Sequence, residues 1–288
     1  MNKITKDILK QIYVPRPADS HKYHYGLLLV VGGGEFYTGS PALAAMAAFR
    51  AGVDMVQVLA PKRAADIIAS FSPNLAAYPL KNPIFNKEEL PIVLSFVSSA
   101  QEVAHEKRAI VLGGGMGRSN ETKQALNEFF QQADIKMVVD ADALYALAEN
   151  PFALKDKPVV LTPHAYEFFV LSGKKVAGLP LEEKAKIVQE QAAKMGLTIL
   201  LKGAIDIISN GEQTLFDETG TAYMTVGGTG DTLAGICGAL LAMGIEPFLA
   251  AQAASFINGK AGELASKRLG ASMLATDLIE DIAQVIKF

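Results

Sequence analysis

Residues 226–243 read VGGTGDTLAGICGALLAM, a glycine-rich loop that runs directly into an apolar helix of small residues. The pattern predicts a helix from about Asp231 to 243, with the backbone N–H groups of Gly228, Thr229 and Gly230 lacking intrahelical partners. These groups lie at the positive end of the helix dipole, and glycine lets an anion approach the main chain without a Cβ in the way. The stretch therefore predicts a phosphate-binding site.

Asp231 is the unusual residue of this stretch, because a carboxylate beside an anion site repels the anion. One interpretation is a helix N-cap, a position that aspartate favours. The other is a general base that takes a proton from a substrate hydroxyl. The local residues favour the N-cap, and both interpretations stay open at this point.

The composition is that of a globular protein with a large core. The chain has 288 residues, 50% hydrophobic and 20% charged, with a net charge of −3. This charge argues against nucleic acid or an acidic membrane as partner, since both attract a basic face. No run reaches membrane-spanning length, and the N-terminus lacks a signal-peptide core. The single cysteine, Cys237, excludes an intrachain disulfide, so we expect a soluble cytoplasmic protein.

Apolar runs alternate with helical patterns along most of the chain, an order typical of a parallel sheet. Residues 26–31 are a continuous apolar run closed by glycines 32–34, as expected of a strand buried on both faces. Ser40 and Pro41 predict a helix over 42–51, with serine as N-cap and proline as first helical residue. Further strands are predicted at 55–59, 109–112, 137–140, 159–162 and 198–201. Further helices are predicted at 5–12, 121–132, from 141, from 165, and at 180–195, 247–269 and a last one capped by Thr276.

The parallel order is predicted to end in an antiparallel hairpin. Residues 205–209 and 213–216 flank Asn210-Gly211, a pair typical of a type I′ turn. Residues 79–91 are the most irregular stretch, and no repeat or flexible linker divides the chain. We therefore expect one domain over residues 1–288.

Polar and glycine residues collect in the loops that follow predicted strands, at 32–40, 113–120, 162–164, 202–204 and 227–231. In an open parallel sheet such loops meet at one rim, where ligands bind. Loop 34–40 has the spacing of a P-loop, but Ser40 stands where its lysine should be. Lys202 either extends to solvent or reaches a phosphate. His164 either caps the next helix or forms a metal pair with Glu167.

Six segments resemble the ADP/ATP-dependent NAD(P)H-hydrate dehydratases, a branch of the ribokinase-like superfamily. They occur in the family's order and cover most of the chain: HKYHYGLLLVVGGGEFYTGSPALAA, VLGGGMGR, VVDADAL, LTPHAYEF, LLKGAIDIIS and MTVGGTGDTLAGICGALLAMG. The last segment, together with LTPH and LKG, is the specific part. The resemblance implies a three-layer α/β/α fold with a mainly parallel central sheet and an antiparallel hairpin near its edge.

The resemblance implies a repair enzyme that eliminates water from hydrated NADH or NADPH, driven by cleavage of ADP or ATP, with Mg²⁺ as cofactor. Asp231 then becomes the expected catalytic base. The residues that match the family's sites are Ala42, Gly117, His164 and Asp231 for the substrate, and Lys202, Gly203, Ala204, Ile205, Asp206 and Gly230 for the nucleotide. The main-chain donors expected to stabilise the transferring phosphoryl group are those of Gly228, Thr229 and Gly230. Glu167 falls where sugar kinases of this superfamily place the glutamate of their magnesium motif, which makes it the metal candidate.

The chain departs from the family pattern at two places. Ala165-Tyr166 replaces the more usual Pro-Gly after the histidine, and Asn258 stands where a histidine is common. Too few residues precede Gly26 for the epimerase domain of many relatives, so we expect epimerisation to need another protein. The resemblance also implies a homo-oligomer, a tetramer.

Two alternative functions remain at this stage. A small-molecule kinase of the same superfamily, of the hydroxymethylpyrimidine or thiazole type, would keep its phosphorylated product. His164 argues against it, because it occupies the asparagine position of the superfamily's Asn-x-x-Glu magnesium motif. A nucleotide-binding regulator without turnover would have no use for the carboxylate of Asp231.

Overall fold

The structure, a computed structural model, describes residues 2–287. Across these residues nine strands form one sheet: β1 Leu27–Val31, β2 Met55–Pro61, β3 Ala76–Leu80, β4 Arg108–Leu112, β5 Lys136–Val139, β6 Val159–Leu161, β7 Thr198–Leu201, β8 Asp206–Ser209 and β9 Thr214–Asp217. Their order across the sheet is β3-β2-β1-β4-β5-β6-β7-β8-β9. The strands from β1 to β7 run parallel, and β8 and β9 add an antiparallel hairpin at one edge.

Helices cover both faces of this sheet. Those of residues 2–287 are α1 Ser40–Arg50, α2 Lys62–Phe71, α3 Leu90–Ala104, α4 Asn120–Gln132, α5 Asp142–Leu147, α6 Ala165–Ser172, α7 Leu181–Met195, α8 Thr229–Ala242, α9 Pro247–Leu269 and α10 Ala275–Ile286. One apolar core joins the sheet to α1, α2, α8, α9 and α10. A second core joins the opposite face to the helices from α3 to α7. The three-layer α/β/α prediction is confirmed.

Strand β1 shows why the sequence specifies this layering. Its side chains alternate between the two cores, with Leu28 and Val30 in the first and Leu27, Leu29 and Val31 in the second. Because both faces are buried, every position of the strand is apolar, which produces the continuous run in the sequence.

The register of the parallel strands aligns their carboxyl ends. Val31 of β1 pairs with Leu112 of β4, which pairs with Val139 of β5, which pairs in turn with Leu161 of β6. The loops after these strands therefore meet at one rim. None of the helices in residues 2–287 combines the length and the apolar run that crossing a bilayer requires.

The hairpin is present, but its predicted type I′ turn is wrong. Ser209 pairs with Thr214, so the connection has four residues, 210–213. Within it, Gly211 has φ +93° whereas Asn210 is not among the residues with positive φ, which a type I′ turn requires at both positions. Asn210 instead accepts hydrogen bonds from the backbone of Glu212 and Gln213 at 3.0 and 2.8 Å. This asparagine closes the longer loop with its side chain.

Three predicted N-caps, Ser40, Asp231 and Thr276, differ from the observed ones. The N-cap of α1 is Gly39 instead of Ser40, and the N-cap of α10 is Leu274 instead of Thr276. Helix α8 begins two residues before Asp231, with Gly228 as N-cap. Because Gly39 takes the N-cap position of α1, the Ser40 hydroxyl does not cap the helix and instead donates a hydrogen bond to Asp231.

Two helices, α2 and α3, have no counterpart in the sequence prediction. Helix α3 begins at Leu90, inside the stretch 79–91 interpreted as irregular, after a short 3₁₀ turn Lys87–Glu89. The predicted helix 5–12 is a 3₁₀ helix, Lys6–Gln11. Short 3₁₀ segments lack the 3.6-residue period, so their type cannot be read from apolar spacing.

Candidate active site

The first turn of α8 presents main-chain donors at the rim of the sheet. Gly228 has φ +101°, a conformation that glycine adopts readily, and the helix starts at Thr229. Helix geometry leaves the first N–H groups, including those of Thr229 and Gly230, without intrahelical partners. A Cβ placed on Gly227 would meet nothing within 4 Å, so the approach to these donors is open.

Asp231 lies inside this first turn, as the third helical residue. Gly228 occupies the N-cap position, and the hydrogen bond that engages the Asp231 carboxylate comes from the hydroxyl of Ser40 on α1. The N-cap interpretation of Asp231 is therefore wrong. Its side chain is directed toward the rim of the sheet, where α1 and α8 meet.

Burial dominates the electrostatics of Asp231. It raises the pKa of this carboxyl to about 7, and the nearby Asp140 and Asp142 act in the same direction. The hydrogen bond from Ser40 and the charge of Lys202 oppose the rise. A carboxyl poised near neutral pH can accept a proton from a substrate and release it again, which is what a general base requires.

Lys202 reaches inward from the end of β7. Its Nζ lies 2.8 Å from Asp140 Oδ1 and 3.9 Å from Glu167 Oε2, and its side chain is 21% exposed. Burial disfavours the ammonium, but Asp140 and Glu167 outweigh it and raise the pKa of Lys202. A Cβ on Gly230 would lie 3.5 Å from Nζ, so the ammonium stands beside the first turn of α8. The solvent-exposed interpretation of Lys202 is wrong, and the cation lies where an anion at the helix terminus would meet it.

His164 and Glu167 form a reciprocal cap at the start of α6. His164 Nδ1 accepts the backbone N–H groups of Tyr166 and Glu167 at 3.1 and 3.2 Å, while Glu167 Oε2 accepts the backbone N–H of His164 at 2.8 Å. The cap interpretation of His164 is confirmed. With Nδ1 accepting, the neutral ring carries its hydrogen on Nε2, which lies 3.4 Å from Glu167 Oε1.

A cavity of about 490 Å³ opens beside this cluster, between β7, β8 and α9. Five of the six predicted nucleotide residues line it, with Ile205 instead lining a neighbouring cavity of about 250 Å³. The lining of the larger cavity is Lys202, Gly203, Ala204, Asp206, Thr219, Gly220, Thr221, Ala222, Met224, Thr225, Thr229, Gly230, Leu233, Ser255, Asn258 and Gly259. The cavity ends at the open turn of α8, so a phosphorylated ligand inside it would have its phosphates near that turn.

Two carboxyls share one hydroxyl beside this cavity: Asp206 lines the cavity wall, whereas Asp217 is buried and does not line it. Ser255 Oγ lies 2.8 Å from Asp206 Oδ2 and 2.6 Å from Asp217 Oδ2. A serine hydroxyl has one hydrogen, so a second hydrogen must sit on one carboxyl for both contacts to be hydrogen bonds. Burial raises the pKa of Asp206 to about 6, so this carboxyl can carry the second hydrogen below about pH 6. Asp206 also accepts the backbone N–H of Gly203 at 2.8 Å, so it holds the loop that follows β7.

The loop after β4 is held by Asp142. Its two carboxylate oxygens accept the backbone N–H of Gly117 at 2.9 Å and the Nε–H of Arg118 at 2.7 Å. Arg118 is stacked 3.6 Å above the ring of Tyr145. The structure thus places Gly117 at the rim, whereas Ala42 is 5% exposed inside α1 and presents almost no surface.

Asn258 and Ser40 contribute to the site in ways that sequence reasoning missed. Asn258 accepts from the hydroxyl of Thr232 at 2.7 Å and donates to the carbonyl of Thr229 at 3.2 Å, so α9 anchors the first turn of α8. The sequence identifies Asn258 only as a departure from the family pattern, and Ser40 only as an N-cap and as the residue at the P-loop lysine position. The signal that could have found Ser40 is its place at the end of a strand-following glycine loop.

The parallel sheet, its antiparallel edge and the helix-terminus site define a ribokinase-like α/β protein. A ribokinase-like superfamily protein of Enterococcus faecalis V583 superposes with a TM-score of 0.84 at 25% identity, over 99% of this chain and 95% of that one. The NAD(P)H-hydrate dehydratase family model matches residues 28–284, and the chain belongs to this family.

Two relatives illustrate the range of the family. The ADP-dependent (S)-NAD(P)H-hydrate dehydratase of Nitrosopumilus maritimus is 37% identical over 287 residues, covering 99% of this chain and 96% of that protein. The bifunctional NAD(P)H-hydrate repair enzyme Nnr of Hyperthermus butylicus is 41% identical over 278 residues, covering 94% of this chain. The chain spans about half the length of that second relative, with 50% of it covered.

Proposed function

We propose that this chain, as a single ribokinase-like domain over residues 1–288, dehydrates hydrated NADH or NADPH with ADP or ATP as co-substrate. The observation that carries the proposal is the position of Asp231. Its carboxyl has a pKa of about 7 and lies in the same helix turn that offers open main-chain donors to an anion. Family membership supplies the substrate class, since the Nitrosopumilus maritimus relative is an ADP-dependent NAD(P)H-hydrate dehydratase.

Asp231 is the base of the first step. Water leaves poorly at neutral pH, so the ring hydroxyl of the substrate is first converted to a phosphate ester. Asp231 takes the hydroxyl proton as the oxygen attacks the terminal phosphorus and the bond to the leaving nucleotide breaks. Positioned bases of this kind typically contribute about 10²–10⁴-fold. In the second step phosphate leaves with the C–O bonding electrons, a ring C–H proton is lost, and the ring regains its conjugation.

The first turn of α8 and Lys202 stabilise the phosphoryl group in transfer. The N–H groups of Gly228, Thr229 and Gly230 point at developing negative charge, and fixed donors of this kind need no reorganisation during reaction. The ammonium of Lys202 stands beside the same turn. The remaining nucleotide contacts are Gly203, Ala204 and Asp206 on the wall of the larger cavity, and Ile205 behind that loop.

Mg²⁺ fits Glu167 as a single protein ligand. No three His, Cys, Asp or Glu side chains of residues 2–287 gather into a group that could hold a metal ion alone. Magnesium bound with nucleotides often uses one or two carboxylates and takes its other ligands from phosphates and water. Glu167 is a 5% exposed carboxylate beside Lys202, so it would bind the ion next to the phosphates. The ion would add positive charge against the phosphate oxygens.

The substrate side of the site is the rim above Asp231, with Gly117 and His164 as contacts. The half-exposed imidazole of His164 keeps Nδ1 in its cap, so Nε2, which lies 3.4 Å from Glu167 Oε1, is the nitrogen that can donate to a substrate. Ala42 supports this side only through the backbone of α1, because its side chain is buried. The cytoplasmic location and the homo-oligomer, a tetramer, belong to the same proposal, and light scattering after size-exclusion chromatography measures the assembly.

The deciding experiment incubates the protein with hydrated NADPH, Mg²⁺ and either ADP or ATP. We expect the dihydronicotinamide absorbance to return while inorganic phosphate appears in equal amount. A kinase would consume nucleotide and accumulate a phosphorylated product without free phosphate. A binding protein without turnover would bind nucleotide and change neither signal. Either result would overturn the proposed function.

A further inference from the structure

Ser40 stands at the junction of two helix N-termini. It is the first residue of α1, and its hydroxyl donates to Oδ1 of Asp231 in the first turn of α8. Within residues 2–287 no hydrogen bond engages the other carboxylate oxygen, Oδ2. The contact therefore divides the carboxylate into a held oxygen and an available one.

The packing of α1 on α8 fixes this contact. One turn further along each helix, a Cβ on Gly235 would lie 2.1 Å from the carbonyl oxygen of Ala44, so the two backbones touch there. Gly235 follows Asp231 by four residues and Ala44 follows Ser40 by four, so both contacts lie on the same helix faces. The spacing between the Ser40 hydroxyl and the Asp231 carboxylate is thus set by the helix pair itself.

The loop after β4 leaves room for the pair. A Cβ on Gly114 would lie 2.1 Å from Ser40 Oγ and 2.8 Å from Asp231 Oδ1. Any side chain at this position would displace the hydroxyl from the carboxylate. Three elements that are distant in sequence therefore converge on one hydrogen bond.

We infer that Ser40 is a positioning residue for Asp231, holding Oδ1 so that Oδ2 faces the substrate as the proton acceptor. The inference rests on the proposed function, because it assigns Oδ2 to the substrate proton. Ser40 also supports the ionised form, since a donor favours the charged carboxylate. The other charges facing Asp231 are Asp140 after β5, Asp142 at the start of α5 and Lys202 after β7, and they are unchanged when Ser40 is replaced.

Ser40→Ala tests the inference through the pH dependence of turnover. Loss of the donor raises the pKa of Asp231 above about 7, so a smaller fraction is ionised at neutral pH. A hydrogen bond to a charged group corresponds to a shift of roughly one to two pH units. We expect the acid limb of the kcat profile to move up by that amount, with part of the rate recovered at high pH. Ser98→Ala on α3 is the matched control, because its exposed hydroxyl donates only to the Leu94 carbonyl.

A direct titration separates this inference from the proposed function. The protein is labelled with ¹³C at aspartate carboxyls, and Asp231→Asn assigns the Asp231 signal. A midpoint that rises in Ser40→Ala supports the inference even if hydrated NADPH proves not to be the substrate. The inference is overturned if folded Ser40→Ala protein shows the wild-type titration midpoint for Asp231 and the wild-type acid limb in its kcat–pH profile.

Two further variants keep the test decisive if Ser40→Ala does not fold. Ser40→Thr keeps the hydroxyl donor, whereas Ser40→Cys offers only a weak S–H donor. We expect the titration midpoint of Asp231 to match wild type in Ser40→Thr and to lie higher in Ser40→Cys. Equal midpoints for the two variants would show that the donor has no influence on Asp231.

Discussion

Two glycine loops lead into helices that pack against each other, and their glycines serve different purposes. In the loop 32–39 before α1, a Cβ on Gly32 would lie 2.6 Å from the carbonyl oxygen of Gly114, and one on Gly34 would lie 2.8 Å from that of Gly115. In the loop 227–230 before α8, Gly227 faces open space, and a Cβ on Gly230 would make only an ordinary contact with Lys202. Gly32 and Gly34 are needed for packing against a neighbouring loop, whereas Gly227 and Gly230 stand where a ligand can approach. Gly228 between them is packed, since a Cβ on it would lie 2.6 Å from a methyl group of Leu43.

The difference teaches that glycine spacing alone does not identify an anion site. Loop 32–39 follows β1, loop 227–230 follows a 3₁₀ turn, Ala222–Thr225, and both precede a helix with small residues. What separates them is the neighbour on the other side of the backbone, which the sequence does not reveal. Ser40 and Asp231 then connect the two loops, because the hydroxyl that follows the first loop donates a hydrogen bond to the carboxylate that follows the second, the proposed base.

The largest expected effect follows from replacing the charge next to the open loop. Asp231→Asn should lower kcat by at least about a hundredfold, because asparagine cannot accept the substrate proton. It should bind ADP as well as or better than wild type, since the repulsion of phosphate is removed. Rapid-quench kinetics and calorimetry on one preparation measure both. Turnover within a few-fold of wild type would mean that another group is the base.

Lys202→Ala tests whether the phosphates lie at the open loop. A charged hydrogen bond is worth roughly 1.5–3 kcal/mol, so ADP affinity should fall by about ten- to a hundredfold. Lys184→Ala is the control, because Lys184 lines the neighbouring cavity that also contains Lys202. Calorimetry showing the larger loss in the Lys184 variant would move the nucleotide to that cavity.

One glycine-to-alanine substitution in each loop compares the roles of the two loops directly. Gly32→Ala places a Cβ against the Gly114 carbonyl, and overpacking of this kind costs typically about 1–3 kcal/mol of stability. Gly230→Ala lies in the first helical turn, where alanine is tolerated, so its Tm should stay near wild type while ADP binding weakens. Thermal melts with and without ADP distinguish the two. Equal destabilisation by both variants would contradict the division of roles.

The smallest effect is a pH-dependent stability difference. The pKa of Asp231 lies above its ordinary value of 3.8, at about 7, so the folded state binds this proton more tightly than the unfolded chain. The resulting destabilisation is absent below pH 3.8, grows as pH rises and is complete above pH 7. Asp231→Asn should therefore raise Tm, relative to wild type, by a few degrees more at pH 8 than at pH 5. If the Tm difference between Asp231→Asn and wild type is the same at both pH values, the Asp231 carboxylate lies in a more solvated environment than its burial indicates.

The alternation of buried strands and helices could be predicted because both faces of the sheet are covered. Strands such as β1 are apolar at every position, and α9 was predicted with its observed bounds, Pro247–Leu269. Strand β3 is absent from the sequence prediction because it lies at the edge of the sheet, where its exposed positions break the apolar run. The turn of the hairpin was mispredicted because Asn210 can close a four-residue loop with its side chain as well as enter a two-residue turn.

The site was predictable only where one segment carries the chemistry. Asp231 and the main-chain donors lie within one turn, and the sequence around them is specific. Ser40, Ser255 and Asp217 act through contacts between elements 38 to 191 residues apart in sequence. No local pattern reports such pairs. The role of Lys202 was undecided for the same reason, because its direction depends on Asp140, 62 residues away.

The burial of α8 also determines which parts of the site can move. Every residue from Thr232 to Ala242 is buried, and Gly238 would place a Cβ 2.4 Å from a methyl group of Val111. Amide groups in such a helix exchange with solvent mainly through global unfolding, whereas exposed loops open locally. The helix that carries the proposed base, Asp231, therefore stays fixed on the time scale of hydrogen exchange. Adaptation to the proposed dinucleotide substrate then belongs to the exposed loops around it, Phe36 and Tyr37 included, whose side chains are 85% and 64% exposed.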